Sequence, residues 1–504
     1  MANTFIDALE KRFNYKFTEN GALALKSTGS KVYDLFALGG AYRQRADEDC
    51  ITLFKEAFDE DPILALKCLF YLRDCRGGQG ERRFFRVCFR YATIKNPKMM
   101  KKYIKYIPYF GRWDDLFCLF HSELEEDVLK FIVDQLTLDM SCVVDDKQGI
   151  SLLAKWMPSE NAHSHQSKKY ARLIREYIGM TSKEYRKMLS KLREHLNILE
   201  RLMSENRWDE INFSSIPSKA GLIYRNAFAR RDLIAKKYEN FITDENTKVN
   251  ADTLYPYEIV RKVTNEINWT FSPTMSAIDR AAVNKYWENL PDYLNGADVS
   301  MLCVIDTSGS MTCNYHGGPN PIDVAISLGL YCAERMTGPF ANKYISFASR
   351  PQLINTSGKD FVEKVVNIYK TNLIDNTNLP RVFDLLLNTA RQKGVKKEDL
   401  PKTIVVISDM EIDSATKYTY THTGSNLKTT MEQIREAWNL FGYELPKLVY
   451  WNVNARNNTI LDDGPNISYV SGCNPIIFKQ VLTGKTGIEL MLEVLLGERY
   501  KVIE

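Results

Sequence analysis

The sequence predicts a helical-repeat module over residues 1–297 followed by a doubly wound, parallel-sheet α/β domain over residues 298–504. Three observations carry that reading. The first part places apolar residues at three- and four-residue spacings, the mark of amphipathic helices. The second alternates short β-rich apolar runs with helical stretches, which argues for a parallel sheet covered on both faces. Between them the segment PDYLNGAD (291–298) breaks the periodicity and marks the boundary.

Taken in order, Asp49–Leu72 sets Ile51, Phe54, Phe58, Leu64, Leu66 and Leu69 at helical spacing, interrupted at Asp61-Pro62, where a proline starts a new helix. Ser182–Arg207 aligns Tyr185, Leu189, Leu192, Leu196, Leu199 and Leu202 in one stripe, with Ser182 as its N-cap. Helix pairs of ~35–45 residues would fill residues 30–240 as a solenoid, although no crisp repeat is visible. Thr243–Asp252, polar and Asn-rich, reads as a loop. In the second part Val299–Ile305, Lys343–Ala348, Thr403–Ser408 and Leu448–Val453 read as strands. Asp323–Arg335, Arg381–Gln392 and Thr430–Leu440 read as helices.

The composition narrows the class. Hydrophobic residues at 44% and charged residues at 26% exclude a fibrous or wholly disordered chain. A chain of 504 residues buries a core without disulfide staples. No apolar run approaches the ~20 residues of a membrane span, and Asp7 and Glu10 interrupt any signal-peptide pattern. The ten cysteines include no C-x-x-C pair, and most sit in apolar settings such as ALKCLF, as buried reduced thiols do. A soluble, cytoplasmic protein with no membrane partner is expected.

The strand Val299–Ile305 runs into Asp306-Thr307-Ser308-Gly309-Ser310-Met311, an acid and two hydroxyls at alternate positions. The carboxyl ends of strands are where open α/β sheets gather ligands. A hard divalent cation such as Mg²⁺ takes oxygen ligands, few of them carboxylates. Thr403–Ser408 likewise ends in an acid, Asp409, and Thr377 lies in a polar loop, with Thr371 near enough to compete. The order DTSGSM, Thr377, ISD409 resembles the metal-ion-dependent adhesion site of von Willebrand factor type A domains. The resemblance implies a Mg²⁺ ion, or another divalent cation, held by Asp306, Ser308, Ser310, Thr377 and Asp409. No catalytic pattern accompanies it. T-S-G-S-M is not a nucleophile elbow, Asp306 lacks a second aspartate two residues on, and the chain has no P-loop or G-x-G-x-x-G. No enzyme is expected. His163 and His165 form an H-x-H without nearby partners and read as a solvent-exposed loop.

The net charge of +4 conceals clustering. Lys67–Lys105 holds 12 Lys and Arg against two acids, His165–Arg193 nine against two, and Lys219–Lys237 six against one. One such run is ordinarily a solvated helix face; three in one module point to phosphates. The candidate contacts are Arg73, Arg76, Arg82, Arg83, Arg86 and Arg90 in the first run and Lys168, Lys169, Arg172 and Arg175 in the second. Glycines 77, 78 and 80 would let backbone amides approach a phosphate. Tyr103, Tyr106, Tyr109, Phe110 and Trp113 are candidates for base stacking, with core packing the alternative.

The segments RDCRGGQGERRFFR (73–86), YFGRWDDL (109–116), LAKWMPS (153–159), EYRKMLSKLREHLNILE (184–200) and IPSKAG (216–221) resemble the helical TROVE module of Ro ribonucleoproteins and of telomerase- and vault-associated proteins. They are closer to a sister family found in phages, bacteria, fungi and plants. VIDTSGSM (304–311), DNTNLPRVFDLLL (375–387), VISDMEID (406–413), LVYWNVNAR (448–456) and YVSGCNP (469–475) continue the match. The resemblance implies a curved, HEAT-like stack of helical hairpins joined to a von Willebrand type A domain. It further implies binding of small structured or misfolded noncoding RNA by the helical module. The alternative is a metal-dependent protein-interaction scaffold, in which a partner protein supplies an acidic residue to the ion and RNA plays no part.

Overall fold

The computed structural model describes residues 13–145, 149–268, 272–297, 300–313, 318–347, 350–371, 378–412 and 429–504. A hairpin of β1 (Tyr15–Phe17) and β2 (Leu23–Leu25) leads into helix after helix up to Ala277–Glu288. An α/β unit follows, built on β3 (Met301–Asp306), β4 (Lys343–Phe347), β5 (Gln352–Asn355), β6 (Thr403–Ser408), β7 (Lys447–Asn452) and β8 (Ile467–Ser471).

Local signals set the helix ends. Asp61 separates Asp47–Glu60 from Pro62–Arg73; its carboxylate accepts the amides of Ile63 (3.0 Å) and Leu64 (2.9 Å), and Pro62 takes the first turn. Phe70 lies at the centre of the packing that follows, against Phe85, Phe89 and Phe110. The helix expected over Ser182–Arg207 is two helices, Ser182–His195 and Leu199–Ser204. Asn197 between them takes a left-handed conformation (φ +46°), which ends the first. Thr181, not Ser182, is the N-cap: its hydroxyl accepts the Glu184 amide while Glu184 accepts the Thr181 amide.

The sheet order is β5-β4-β3-β6-β7-β8, parallel except for the antiparallel edge pair β4–β5. From β3 the chain passes to β4 on one side and later returns to β6 on the other, so the strand order reverses between β3 and β6. In such sheets the crevice at the carboxyl ends of those two strands is the ligand-binding position. β5 and β8 escape the sequence reading: QLIN is a short, half-polar edge, and ISYVS is five residues without flanking periodicity.

The first helical residues close the far edge of this sheet. Tyr33, in helix Lys31–Leu38, accepts the Tyr469 amide on its hydroxyl (2.9 Å), and the Gly40 amide donates to Ser471 Oγ (2.9 Å). A Cβ at Gly40 would lie 2.5 Å from the Ser471 carbonyl oxygen, so only glycine allows this approach. Edge strand β8 is thereby covered rather than left open to another chain.

Candidate nucleic-acid cavity and metal centre

The helical module forms an open cavity of about 930 Å³. Helix Ser182–His195 turns Arg186, Leu189, Ser190 and Arg193 into it, residues at three- and four-residue spacing on one face. Helix Leu199–Ser204 adds Arg201, helix Ser218–Arg230 adds Lys219 and Tyr224, and the short helix Leu153–Trp156 adds Lys155 and Trp156. With Arg73, Arg82 and Arg112, eight Lys and Arg line the cavity against two acids, Glu200 and Glu205.

Several of these cations are held in place by the fold. Arg73 is buried and grips Asp115 with Nε (2.7 Å) and Nη2 (2.6 Å). Arg193 donates to the carbonyls of Ala154 (2.9 Å) and Met157 (2.8 Å), and burial lowers its pKa. Arg112 pairs with Asp114 and lies over Trp156, 3.7 Å from the ring centroid. Asp114 is half-buried, which raises its carboxyl, yet Arg112 and Arg86 hold it below the usual range. Arg82 experiences the opposite shift: burial, then the guanidinium groups of Arg112 and Arg86, pull its pKa down against Asp114 and Asp115. Such crowding of positive charge favours an anion.

Of the ten phosphate contacts expected from the sequence, Arg73 and Arg82 line the cavity. Arg86 stands behind them on Asp114 (2.9 Å) and Asp115 (2.7 Å). Arg90 caps the carbonyls of Cys118 and Phe120, and Arg83 pairs with Asp47 and the Arg45 carbonyl. Arg175 is held by Glu160 (2.8 Å). Arg76, Lys168, Lys169 and Arg172 are exposed and lie outside the cavity lining. The glycine loop has another task than the one its composition suggests. The amides of Gly78 and Gly80 donate to the Asp74 carbonyl, that of Gln79 to Tyr71 and that of Glu81 to Leu72. Asn474 of the α/β unit donates to the Gly78 carbonyl (2.6 Å), so the loop is a joint between the two halves. Among the aromatic candidates, Tyr103 and Phe110 are core residues and Trp113 stacks on Phe131. The rings that reach the cavity are Trp156, Tyr185, Tyr224 and Tyr255. The helical spacing of Arg186 and Arg193 and the Lys-Trp of LAKWMPS were the signals available for finding them.

The second site lies at the switch point. Asp306 ends β3 and Asp409 follows β6; both are fully buried. The Ser408 hydroxyl donates to Asp306 Oδ2 (2.5 Å), and the Ser308 amide to Oδ1 (2.9 Å). Ser308 Oγ lies 3.1 Å from Ser310 Oγ, and Ser310 hydrogen-bonds Asp409. Four of the five expected ligands, Asp306, Ser308, Ser310 and Asp409, are therefore joined in one chain of contacts. Thr377 lies outside the described residues, and Thr371 spends its hydroxyl on the carbonyls of its own helix. Burial, then the charge of Asp409, pushes the Asp306 carboxyl up to about 7, and burial also raises Asp409 against the pull of Arg456. Two buried carboxylates and two hydroxyls facing each other form a hard-oxygen set that a divalent cation would neutralise. Sequence reasoning missed Ser408 and Arg456. The latter contacts Asp409 Oδ2 through Nη2 (3.1 Å) and Nε (3.2 Å).

Comparison with known proteins adds the following. The family model described as domain of unknown function DUF2828 matches residues 18–108 and 160–297, and DUF7788 matches residues 300–495. Uncharacterized protein L728 of Acanthamoeba polyphaga mimivirus is 30% identical over 485 residues, covering 89% of this chain and 80% of its own. Among solved structures, the Ro (RSR) protein of Deinococcus radiodurans is matched over 94% of this chain and all of its own, at 13% identity and a TM-score of 0.36.

Proposed function

The chain belongs to the family of the mimivirus protein L728, with DUF2828 and DUF7788 regions in succession; from its cavity lining we propose that it is a non-catalytic RNA-binding protein whose cavity takes a single-stranded RNA segment. The observation that carries the reading is the cavity lining, where Lys155, Arg186 and Arg193 join five cations that are paired with carboxylates (Arg73, Arg82, Arg112, Arg201 and Lys219), with Trp156, Tyr224 and Tyr255 among them. Cations track a phosphate backbone and half-buried rings that open on a cavity stack unpaired bases, a combination suited to single strands. The motifs that resemble the Ro-type module fall partly on this lining: Arg73, Arg82, Arg112, Lys155, Trp156, Arg186 and Lys219 all belong to them. Lys168, Lys169 and Arg172, exposed outside the cavity, would meet the phosphates of an adjoining structured region.

In the same reading the α/β unit is a von Willebrand type A-like domain. Asp306, Ser308, Ser310 and Asp409 would hold a Mg²⁺-type ion, with Thr377 as a further ligand. Such an ion supplies a coordination position for an acidic group of a partner. No general base is assigned to the site, and no catalytic step is proposed.

Filter binding of a bare single strand, and of a hairpin carrying the same strand as a tail, tests the function across several salt concentrations. Both should bind, with a log–log salt slope of roughly −0.7 per phosphate contact on the single strand. Arg186→Glu and Lys155→Glu should weaken both RNAs. Reversal at Lys168 and Lys169 should weaken only the tailed hairpin. Binding indifferent to all four changes would leave the scaffold reading in its place.

A further inference from the structure

The hairpin β1–β2 is tied at its turn to the loop that carries Asp409. Thr18 Oγ1 donates to the Ile412 carbonyl (2.7 Å) and Asn20 Nδ2 to the Glu411 carbonyl (2.7 Å). The Glu19 amide donates to the carboxylate of Glu411 (2.7 Å), which is fully buried and also accepts the Thr459 hydroxyl (2.8 Å). Farther along, Leu25 bridges Ile460. One side chain closes the circuit. The Arg456 guanidinium that touches Asp409 Oδ2 also contacts Glu19 Oε2 through Nη1 (2.5 Å).

We propose that Arg456 is the built-in counter-charge of the cation site and that Glu19 of the hairpin, by drawing the guanidinium away from Asp409, raises the site's affinity for a divalent cation. The inference rests on the cation reading above. A guanidinium stays protonated at any physiological pH. While it sits on Asp409 it occupies an oxygen lone pair the ion needs and repels the ion directly, in a buried setting where water screens little. Glu19 competes with Asp409 for the same guanidinium and adds a negative charge of its own. Cation loading and docking of the hairpin therefore favour each other, and by linkage each strengthens the other to the same degree.

The test uses the full chain with Mn²⁺ alone as the probe, the free ion being counted by electron paramagnetic resonance. Arg456→Gln should bind Mn²⁺ about tenfold more tightly than the unaltered chain, Glu19→Gln about three- to tenfold more weakly, and Arg456→Lys close to the unaltered chain. Amide exchange over residues 15–25 should slow when Mn²⁺ is added to the unaltered chain and stay unchanged in Glu19→Gln. The Glu19 side chain is 44% exposed, so Glu19→Gln folds and decides the matter even where Arg456→Gln does not. Equal affinity in the unaltered chain and Glu19→Gln overturns the inference and leaves the cation site standing. Mn²⁺ binding in none of the chains overturns both, whereas binding that appears only in Arg456→Gln supports the inference.

Discussion

The guanidinium of Arg112 lies over the indole of Trp156, 3.7 Å from its centroid, while Nε (2.8 Å) and Nη2 (2.5 Å) grip Asp114. The ring is thus fixed on one face and half-buried at the cavity wall, a preformed platform that loses little entropy when a base stacks on it. Trp156→Ala should weaken single-stranded RNA by about 1–3 kcal/mol, the usual worth of one base–aromatic stack, and leave the salt slope unchanged. Lys155→Gln next to it should do the reverse, flattening the slope by roughly 0.7 with a smaller loss of affinity. Fluorescence anisotropy at four salt concentrations separates the two.

Asp306 and Asp409 are buried together, and burial with the charge of Asp409 pushes the Asp306 carboxyl up to about 7, so ionising both carboxyls without a metal is costly. Asp306→Asn removes one of those charges and keeps the shape that Ser308 and Ser408 hold. The chelator-treated variant should melt at or above the temperature of the chelator-treated parent. Mg²⁺ should raise the melting temperature of the parent alone, by the equivalent of ~2.7 kcal/mol at a hundredfold excess over its dissociation constant. Differential scanning calorimetry with and without the ion reads both effects.

Asp360 ties the last helix of the helical module to the α/β unit. It accepts Arg280 Nε (2.6 Å) and Nη2 (2.7 Å) and Asn284 Nδ2 (2.9 Å), beside the stacked pair Trp287–Phe361. Burial pushes its carboxyl up, but Arg280, the Glu363 amide and Asn284 outweigh that and hold it below its ordinary 3.8. A depressed folded value means the stabilisation is complete above pH 3.8 and is lost as pH falls through the lower folded value. Asp360→Asn should cost roughly 1 kcal/mol at pH 7 and make the acid limb of the stability curve shallower. Urea unfolding followed from pH 7 to pH 3 checks both.

Gly78 sits where a Cβ would come within 1.9 Å of the Tyr71 carbonyl oxygen, in the loop whose carbonyl receives Asn474. Gly78→Ala should lower stability by about 1–3 kcal/mol through this backbone clash. Gly309→Ala, where no atom lies within 4 Å of the added carbon, should leave it within ~0.5 kcal/mol. Thermal melts of the two variants make the comparison.

The sequence by itself determined the helical first part, the parallel second part and the acids at two strand ends. Each of these is a local property: helical spacing in Tyr185, Leu189 and Leu192, β-rich apolar runs in Met301–Asp306 and Thr403–Ser408, and an acid placed where each strand stops. Even the break inside Ser182–Arg207 turned on one residue, Asn197, whose left-handed backbone the apolar stripe conceals. Only the tertiary structure decided which cations share a cavity. Arg83 and Arg86 are neighbours on one helix, yet Arg83 pairs outward with Asp47 and Arg86 inward with Asp114 and Asp115. The tertiary structure also turned the Gly77–Gly80 loop into a joint and brought Glu19 to Arg456, 437 positions away, at the candidate cation site. Helical and strand periodicities report on neighbours a few residues apart, because backbone geometry fixes those distances. Contacts between residues tens or hundreds of positions apart are settled by the packing of whole elements, which leaves no period in the chain to read.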